Sequence, residues 1–238
     1  MKRYIVQDAY HPSIRNWLQK NWVHFVHLAG LAPLTLLAWD ALNGNLTINP
    51  IQYLTQRTGY AAIILLVVSL VCTPLSVVSG WKRILTLRRP FGLYGFFYAA
   101  LHMLIFTALD FGLNIPLIAQ EIAEKRYILV GAMALLLLAP LALTSTQEWQ
   151  RRLGRSWKRL HRLVYLAVPL AIVHYAWAQK SDIRQPLILG VLVAVLLILR
   201  LPVIRRGIEV RRRAWSTRSG DAIISERHTS AGGASRGE

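Results

Sequence analysis

Long apolar stretches without charged residues constrain this chain more than any other feature. Crossing a bilayer as an α-helix takes about 20 consecutive, mostly apolar residues. The predicted spans are Trp22–Trp39, Thr58–Trp81, Pro90–Leu109, Tyr127–Gln147, Leu163–Gln179 and a shorter sixth from Gln185. If the Arg200 side chain reaches the membrane interface, the sixth span extends through Leu201–Ile204. The sequence therefore predicts an all-α protein, a six-helix transmembrane bundle.

Basic residues are unevenly distributed among the segments that connect these spans. The basic segments contain Lys2, Arg3, Arg15 and Lys20; Lys82, Arg83, Arg88 and Arg89; Arg151, Arg152, Arg155, Lys158 and Arg159; and Arg205, Arg206 and Arg211–Arg213. The segments between these carry few basic residues. Because cytoplasmic segments hold the excess of Lys and Arg, both termini are predicted to be cytoplasmic. The predicted domains are an N-terminal cytoplasmic segment (1–21), a transmembrane domain (22–204) and a basic, disordered tail (205–238).

The charge and the cysteine content exclude several classes of function. The formal net charge of +17 does not indicate nucleic-acid binding, because the basic residues lie between apolar stretches and in the tail. Cys72 is the only cysteine, so an intrachain disulfide is excluded and no cysteine-based metal site is predicted. The bilayer is the predicted environment.

Three histidines lie within long apolar stretches, where polar side chains are costly and usually functional. At 1.5 Å per helical residue, His102 lies roughly 18 Å and His174 roughly 22 Å from the cytoplasmic ends of their spans. Imidazole is a good axial ligand for haem iron, and ligands on facing helices can clamp one cofactor. The alternative is a pair of interhelical hydrogen-bonding residues.

Small residues share the helix faces of these two histidines. Gly92, Gly95 and Ala99 precede His102 at helical spacing, and Ala167, Ala171 and Ala178 surround His174. Space for a flat ligand is one interpretation, and close packing of helices through small residues is the other. The matched depth of the two histidines favours the cofactor.

His161 and His27 both fall near the cytoplasmic edge. His161 shares its predicted span with His174, thirteen positions away. An interfacial position explains His161 as readily as ligation does. His27 is a candidate for a second haem, together with His161, or for a quinone site. Metals other than haem iron are not predicted, because a zinc site needs three or four ligands.

Several short motifs together resemble the MsrQ (YedZ) family, the haem-binding membrane subunits of bacterial MsrPQ methionine sulfoxide reductase systems. The motifs are Leu28–Gly30 after His27, Gln56–Thr58, Arg88–Arg89 with Gly92–Leu93, Ala100–His102, Leu143–Gln147, Leu153–Gly154, Trp157, Leu160–His161, Val164–Leu166, His174–Tyr175 and Trp177. The resemblance covers about residues 22–202. Wider relatives are the ferric reductase-like transmembrane domains.

The resemblance implies an electron-transfer subunit in the bacterial inner membrane. Electrons would pass from the quinone pool through haem b, and through FMN, to a periplasmic molybdopterin reductase, MsrP, which reduces methionine sulfoxide in oxidised proteins. Catalysis on that substrate would lie in the partner. The family's haem histidines correspond to His102, His161 and His174.

One position departs from the two-haem pattern of the wider relatives. Arg88 stands fourteen residues before His102, where those relatives place the second ligand of the inner haem. Arg88, Arg89 and Trp157 would suit the phosphate and ring of FMN, so one haem plus FMN is favoured over two haems. Arg57 is a candidate partner for a haem propionate, although a lipid or topology contact explains it equally well.

Other functions are compatible with the same stretches. A transmembrane ferric or quinone reductase with another acceptor would use the same histidines. A proton-coupled transporter or sensor would use His102 and His174 for protons, although acidic residues within the spans, common in transporters, are missing. The connections containing Asn43–Gln56 and Asn114–Arg126 are the expected docking loops for a periplasmic partner. The sequence has no Gly-rich dinucleotide fingerprint.

Overall fold

The computed structural model describes residues 14–179, 182–204, 206–208 and 210–211 of the chain. All regular secondary structure in these residues is helical. The α-helices are α1 (Ile14–Leu42), α2 (Pro50–Ser79), α3 (Arg88–Leu104), α4 (Ile115–Glu124), α5 (Arg126–Leu143), α6 (Gln147–Leu153), α7 (Arg155–Leu160), α8 (Val164–Ala178) and α9 (Arg184–Ile198). Short 3₁₀-helices cover Lys82–Leu87 and His161–Leu163, and a π-helix covers Ile105–Asp110. The predicted all-α class is confirmed.

Within the described part of the chain, five helical stretches are long and apolar enough to cross a membrane. They are His24–Leu42, Pro50–Ser79, Lys82–Asp110, Arg126–Leu143 and Arg155–Ala178. A sixth span exists only if α9 and the following helical segment, Pro202–Ile208, are counted together despite a bend of 66° between them. The chain is therefore a multi-pass membrane protein with five to six candidate spans, and the count of six stays a prediction. The predicted tail lies outside the described residues except for 206–208 and 210–211.

The two long connections differ from the expected loops. Asn49 begins α2 by accepting a hydrogen bond on its side chain from the Gln52 backbone N–H, and Pro50 follows in the first turn. Asn114 begins α4 in the same way, by accepting from the Leu117 N–H. Asparagine caps followed by a first-turn proline are typical helix starts. The second expected loop, 114–126, is therefore mostly helix.

Helix α2 forms the centre of the bundle. In its most apolar stretch 61% of the residues are buried, against 17–22% in the other four. It packs most extensively against α3, and α5 packs against α8. The main apolar core joins α2, α5, α8 and α9 through Ile63, Leu66, Val67, Leu70, Leu138, Ala167, Val168, Ile172, Val193 and Leu196. The outer helices leave large apolar side chains exposed, as a bilayer solvent requires.

Arg200 directs its guanidinium into the bundle. It donates to the Leu70 carbonyl oxygen at 2.5 Å and to the Tyr165 hydroxyl at 3.1 Å. Pro74 lies four residues after Leu70 and has no N–H, so this carbonyl has no partner within α2. The Arg200 side chain thus satisfies the freed carbonyl, and the extension of the sixth span through Leu201–Ile204 stays a prediction.

Helix α1 joins α3 through a hydrogen bond inserted beside Pro33. The Tyr98 hydroxyl accepts from the Leu34 N–H at 3.0 Å and donates to the Gly30 carbonyl oxygen at 2.9 Å. It therefore bridges two groups that bond directly in a regular helix. A Cβ at Gly30 would lie 2.4 Å from the Tyr94 ring, so the close approach of α1 to α3 depends on this glycine.

Candidate functional site

His102 and His174 lie close together at one end of the bundle. His102 is near the C-terminal end of α3 and His174 near the C-terminal end of α8. Their ring centroids are 6.0 Å apart, and the ring planes are inclined at 79°. The two residues predicted to share a site are thus brought together, from helices that reach this end in the same direction.

Each imidazole is held by one backbone carbonyl of a neighbouring helix. The His102 Nδ1 lies 2.8 Å from the Thr55 carbonyl oxygen of α2, and the His174 Nδ1 lies 2.7 Å from the Tyr127 carbonyl oxygen of α5. A carbonyl oxygen only accepts, so both Nδ1 atoms carry the proton and donate it. Both Nε2 atoms therefore keep a free lone pair, the form in which imidazole binds metals.

This donor set fits a single haem iron held between two axial ligands. With metal–nitrogen bonds of about 2 Å, two imidazoles on opposite faces of one iron have ring centres roughly 6 Å apart. The distance between His102 and His174 matches that value. Metal-binding histidines typically donate their other ring N–H to a carbonyl or carboxylate, as both do here. Among the described residues, no three His, Cys, Asp or Glu side chains are placed to hold a metal ion.

His161 has different surroundings at the opposite, basic end of the bundle. Its ring stacks on Trp157 with centroids 4.0 Å apart and planes at 29°. Its Nε2 lies 3.2 Å from the Thr144 hydroxyl, which donates its own proton to the Pro140 carbonyl at 2.6 Å. The hydroxyl therefore accepts from His161, whose Nε2 carries the proton. The atom that usually binds haem iron is thus engaged with Thr144.

The residues predicted to bind FMN are only partly brought together. Arg88 lies close enough to His161 to interact electrostatically, and its carbonyl oxygen accepts from the Ser69 hydroxyl at 2.7 Å. Trp157 stacks on His161 and donates its indole N–H to the Thr144 carbonyl at 2.9 Å. Arg89 is exposed. His161 thus interacts with both Arg88 and Trp157, two of the residues expected to contact a flavin.

The two remaining predicted residues also have protein partners. The His27 Nδ1 is hydrogen-bonded to the Tyr94 hydroxyl at 2.8 Å, and no contact joins His27 to His161 in the part of the chain that is described. Arg57 is exposed on α2, with its guanidinium carbon 5.0 Å from the Tyr53 ring centroid. It lies two residues after Thr55, at the same end as His102.

The small residues near the ligand helices mainly allow close packing. A Cβ at Gly95 would lie 2.7 Å from the Leu66 side chain and 3.2 Å from the Leu66 backbone, and one at Gly92 would lie 3.4 Å from the Ser69 hydroxyl. Ala167 is fully buried in the main core. For Gly95 and Ala167 the structure therefore favours helix packing over ligand space.

The sequence patterns did not predict two glycines that contact the histidines. A Cβ at Gly59 would lie 3.0 Å from the His102 Nδ1, and a Cβ at Gly131 would lie 2.7 Å from the same atom of His174. Each glycine precedes its histidine by 43 residues, and each accepting carbonyl precedes it by 47. This repeated spacing is the signal in the sequence that could have identified them.

Similarity to known proteins agrees with this arrangement. Residues 58–172 match the family described as ferric reductase like transmembrane component. A protein of Xanthomonas axonopodis pv. citri (strain 306) is 43% identical over 182 residues, which cover 72% of this chain and 82% of the relative. One of Bordetella pertussis (strain Tohama I / ATCC BAA-589 / NCTC 13251) is 41% identical over 172 residues, covering 71% and 84%.

Both relatives carry the name protein-methionine-sulfoxide reductase heme-binding subunit MsrQ. No solved structure matches this chain significantly. Since more than four-fifths of each relative is covered at more than 40% identity, the chain belongs to the MsrQ family.

Proposed function

We propose that this chain is the membrane electron-transfer subunit of a protein-methionine-sulfoxide reductase system, with one b-type haem bound between His102 and His174. The observation that carries the proposal is the pair of imidazoles from α3 and α8, 6.0 Å apart, each with a free Nε2. The bound haem supplies a one-electron redox centre within the membrane. The names of the relatives support both the haem and the methionine sulfoxide system.

The chain's own residues hold and tune that centre. Thr55 and Tyr127 fix the rotation of the two rings through their carbonyl oxygens. Donation from Nδ1 to a carbonyl increases the electron density at Nε2 and so strengthens the ligand. The surrounding apolar helices keep water from the site, which further sets its potential. Arg57, on the same end of α2, is the proposed partner of a propionate group.

The direction of transfer follows from the proposed topology. With the basic connections on the cytoplasmic side, both termini are cytoplasmic, and the ends of α3 and α8 that carry His102 and His174 face the periplasm of a bacterial inner membrane. Electrons would leave there to an MsrP-type molybdopterin reductase, which would repair oxidised proteins. Helix α4, with exposed Ile115 and Leu117, lies at the same end and is a candidate docking surface.

Electrons would enter from the quinone pool at the opposite end. The proposed FMN site lies there, around Arg88, Arg89 and Trp157. Arg88 interacts electrostatically with His161, and neither Arg88 nor Arg89 forms an ion pair among the described residues. Guanidinium groups without a carboxylate partner suit a phosphate. His161 and His27 are the alternative ligands if a second haem, rather than a flavin, occupies this end.

A visible spectrum of the purified protein tests the proposal. We expect dithionite-reducible b-type bands that disappear in His102→Ala and in His174→Ala, with His24→Ala as the control because His24 is exposed near the start of the first span. Quinol-dependent reduction of an added MsrP-type partner should follow the same pattern. A haem-free wild-type protein would refute the proposal. Haem reduction without transfer to that partner would indicate a reductase with another acceptor.

A further inference from the structure

The carbonyl contacts of His102 and His174 depend on the same local arrangement. On α2 the accepting carbonyl belongs to Thr55 and the glycine four residues later is Gly59. On α5 the carbonyl belongs to Tyr127 and the glycine four residues later is Gly131. Helices α2 and α5 therefore present the same carbonyl-and-glycine arrangement to the histidine that each one contacts.

The geometry of an α-helix explains why a glycine is needed at this position. The Cα–Cβ bond tilts toward the helix N-terminus, so a side chain covers the turn before its own Cα. A residue four positions after a carbonyl thus shields that oxygen on its outer side. The oxygen has two lone pairs, and the N–H of the residue four positions later uses only one. A glycine leaves the second lone pair open to a donor from another helix.

The distances agree with this explanation at both positions. An added Cβ would lie 3.0 and 3.1 Å from the Nδ1 and Cε1 atoms of His102 at Gly59. At Gly131 it would lie 2.7 Å from the same two atoms of His174. Contacts under 3.0 Å force a shift, and those up to 3.4 Å leave little space. The ring that would have to move is in each case a proposed iron ligand.

We propose that Gly59 and Gly131 are positioning residues that expose the Thr55 and Tyr127 carbonyls and thereby fix both axial imidazoles in the Nδ1–H form, with Nε2 directed to a shared iron. The inference rests on the proposed haem site. It assigns to the glycines a role in ligand orientation and in the redox potential, beyond close helix packing.

Alanine at Gly59 tests the proposal, since the 3.0 Å contact is the milder of the two. Loss of the Nδ1 hydrogen bond weakens electron donation from the imidazole, so less ferric haem is stabilised. We expect Gly59→Ala to raise the midpoint potential, to shift the reduced α-band and to lower haem affinity about 10–100-fold, the usual cost of losing such a contact. Gly131→Ala should have the larger effect.

Two other glycines of the same helix bundle provide matched controls. Gly95→Ala creates a clash of 2.7 Å, as close as that at Gly131 and closer than that at Gly59, but against Leu66 and not against a proposed ligand. Gly92→Ala creates only a 3.4 Å contact. We expect Gly95→Ala to lower the stability of the detergent-extracted protein while the haem it retains keeps the wild-type potential and spectrum. Gly92→Ala should match the wild type in all three measurements.

Two results would overturn the assignment of the glycines. One is a Gly59→Ala protein with the potential, α-band and haem content of Gly92→Ala. The other is a Gly95→Ala protein whose potential and α-band shift as much as those of Gly59→Ala, since the effect would then be general packing. Failure of the proposed function is distinguishable, because the wild-type protein itself would then lack b-type bands.

Discussion

The two ends of the bundle differ in which ring nitrogen of their histidines forms a hydrogen bond with the protein. At the end with His102 and His174, the proton is on Nδ1, a backbone carbonyl accepts it, and Nε2 is free. At the basic end, the proton of His161 is on Nε2 and Thr144 accepts it. His102 and His174 lie in α3 and α8, His161 lies in the short 3₁₀-helix His161–Leu163, and all three have a hydrogen bond. The tautomer, rather than burial or position in a span, separates the two proposed haem ligands from His161.

The polar contacts of the basic end further separate it from the histidine pair. Trp157 both stacks on His161 and donates to the Thr144 carbonyl, while Arg200 satisfies the carbonyl freed by Pro74. These contacts join helices to one another. At the opposite end the corresponding contacts hold two rings with their centroids 6.0 Å apart.

The largest expected effect comes from comparing His174→Ala with His161→Ala. Since the free Nε2 of His174 is the proposed ligand and that of His161 is engaged, the first variant should lose all haem bands of the shared site. The second should retain them. Pyridine haemochrome quantification of both proteins, purified in parallel, measures the difference. Equal loss in the two variants would mean that the two ends are not functionally distinct.

A second, smaller effect is expected at the basic end from Arg200→Met. The variant leaves the Leu70 carbonyl unsatisfied, and interhelical hydrogen bonds in membrane proteins contribute about 0.6–1.7 kcal/mol, so stability against SDS denaturation should fall by about that much. Pro74→Ala restores an N–H for this carbonyl. In the Pro74→Ala protein, Arg200→Met should therefore lower the stability against SDS denaturation by less.

The haem spectrum should not change in any of these Arg200 and Pro74 variants, since Pro74 and the Leu70 carbonyl that Arg200 contacts lie far along α2 from Thr55. An Arg200→Met cost that is the same with and without Pro74 would contradict the assigned role of Arg200. A shifted haem spectrum would contradict the structural separation of the two ends.

The smallest expected effect is that of Tyr98→Phe. The hydroxyl bridges Leu34 and Gly30 of α1, but without it these two groups can bond directly. The free energy of unfolding should fall by about 0.5–1 kcal/mol, with an unchanged haem spectrum. Tyr60→Phe is the control, because Tyr60 is exposed. A loss of haem in Tyr98→Phe alone would show that the position of α1 matters to the site.

The sequence predicts the elements that depend on hydrophobicity and spacing. Apolar stretches place the spans, and similar depth pairs His102 with His174, which the structure places 6.0 Å apart. The structure adds the contacts between different helices, which spacing along one helix cannot predict. Gly95 shares a face with His102 but packs on Leu66, whereas Gly59 lies on another helix and contacts the ring. Likewise, the position of Arg200 suggests the interface, but its partner is set by Pro74, 126 positions away in the chain.

The most direct test of a shared iron is the electron paramagnetic resonance spectrum of the oxidised wild-type protein. Two imidazole ligands with planes inclined at 79° predict a low-spin ferric signal with the strong anisotropy of nearly perpendicular axial rings. His102→Ala and His174→Ala should each abolish it. A wild-type protein whose haem is high-spin and five-coordinate, or whose low-spin signal survives either substitution, would contradict the account.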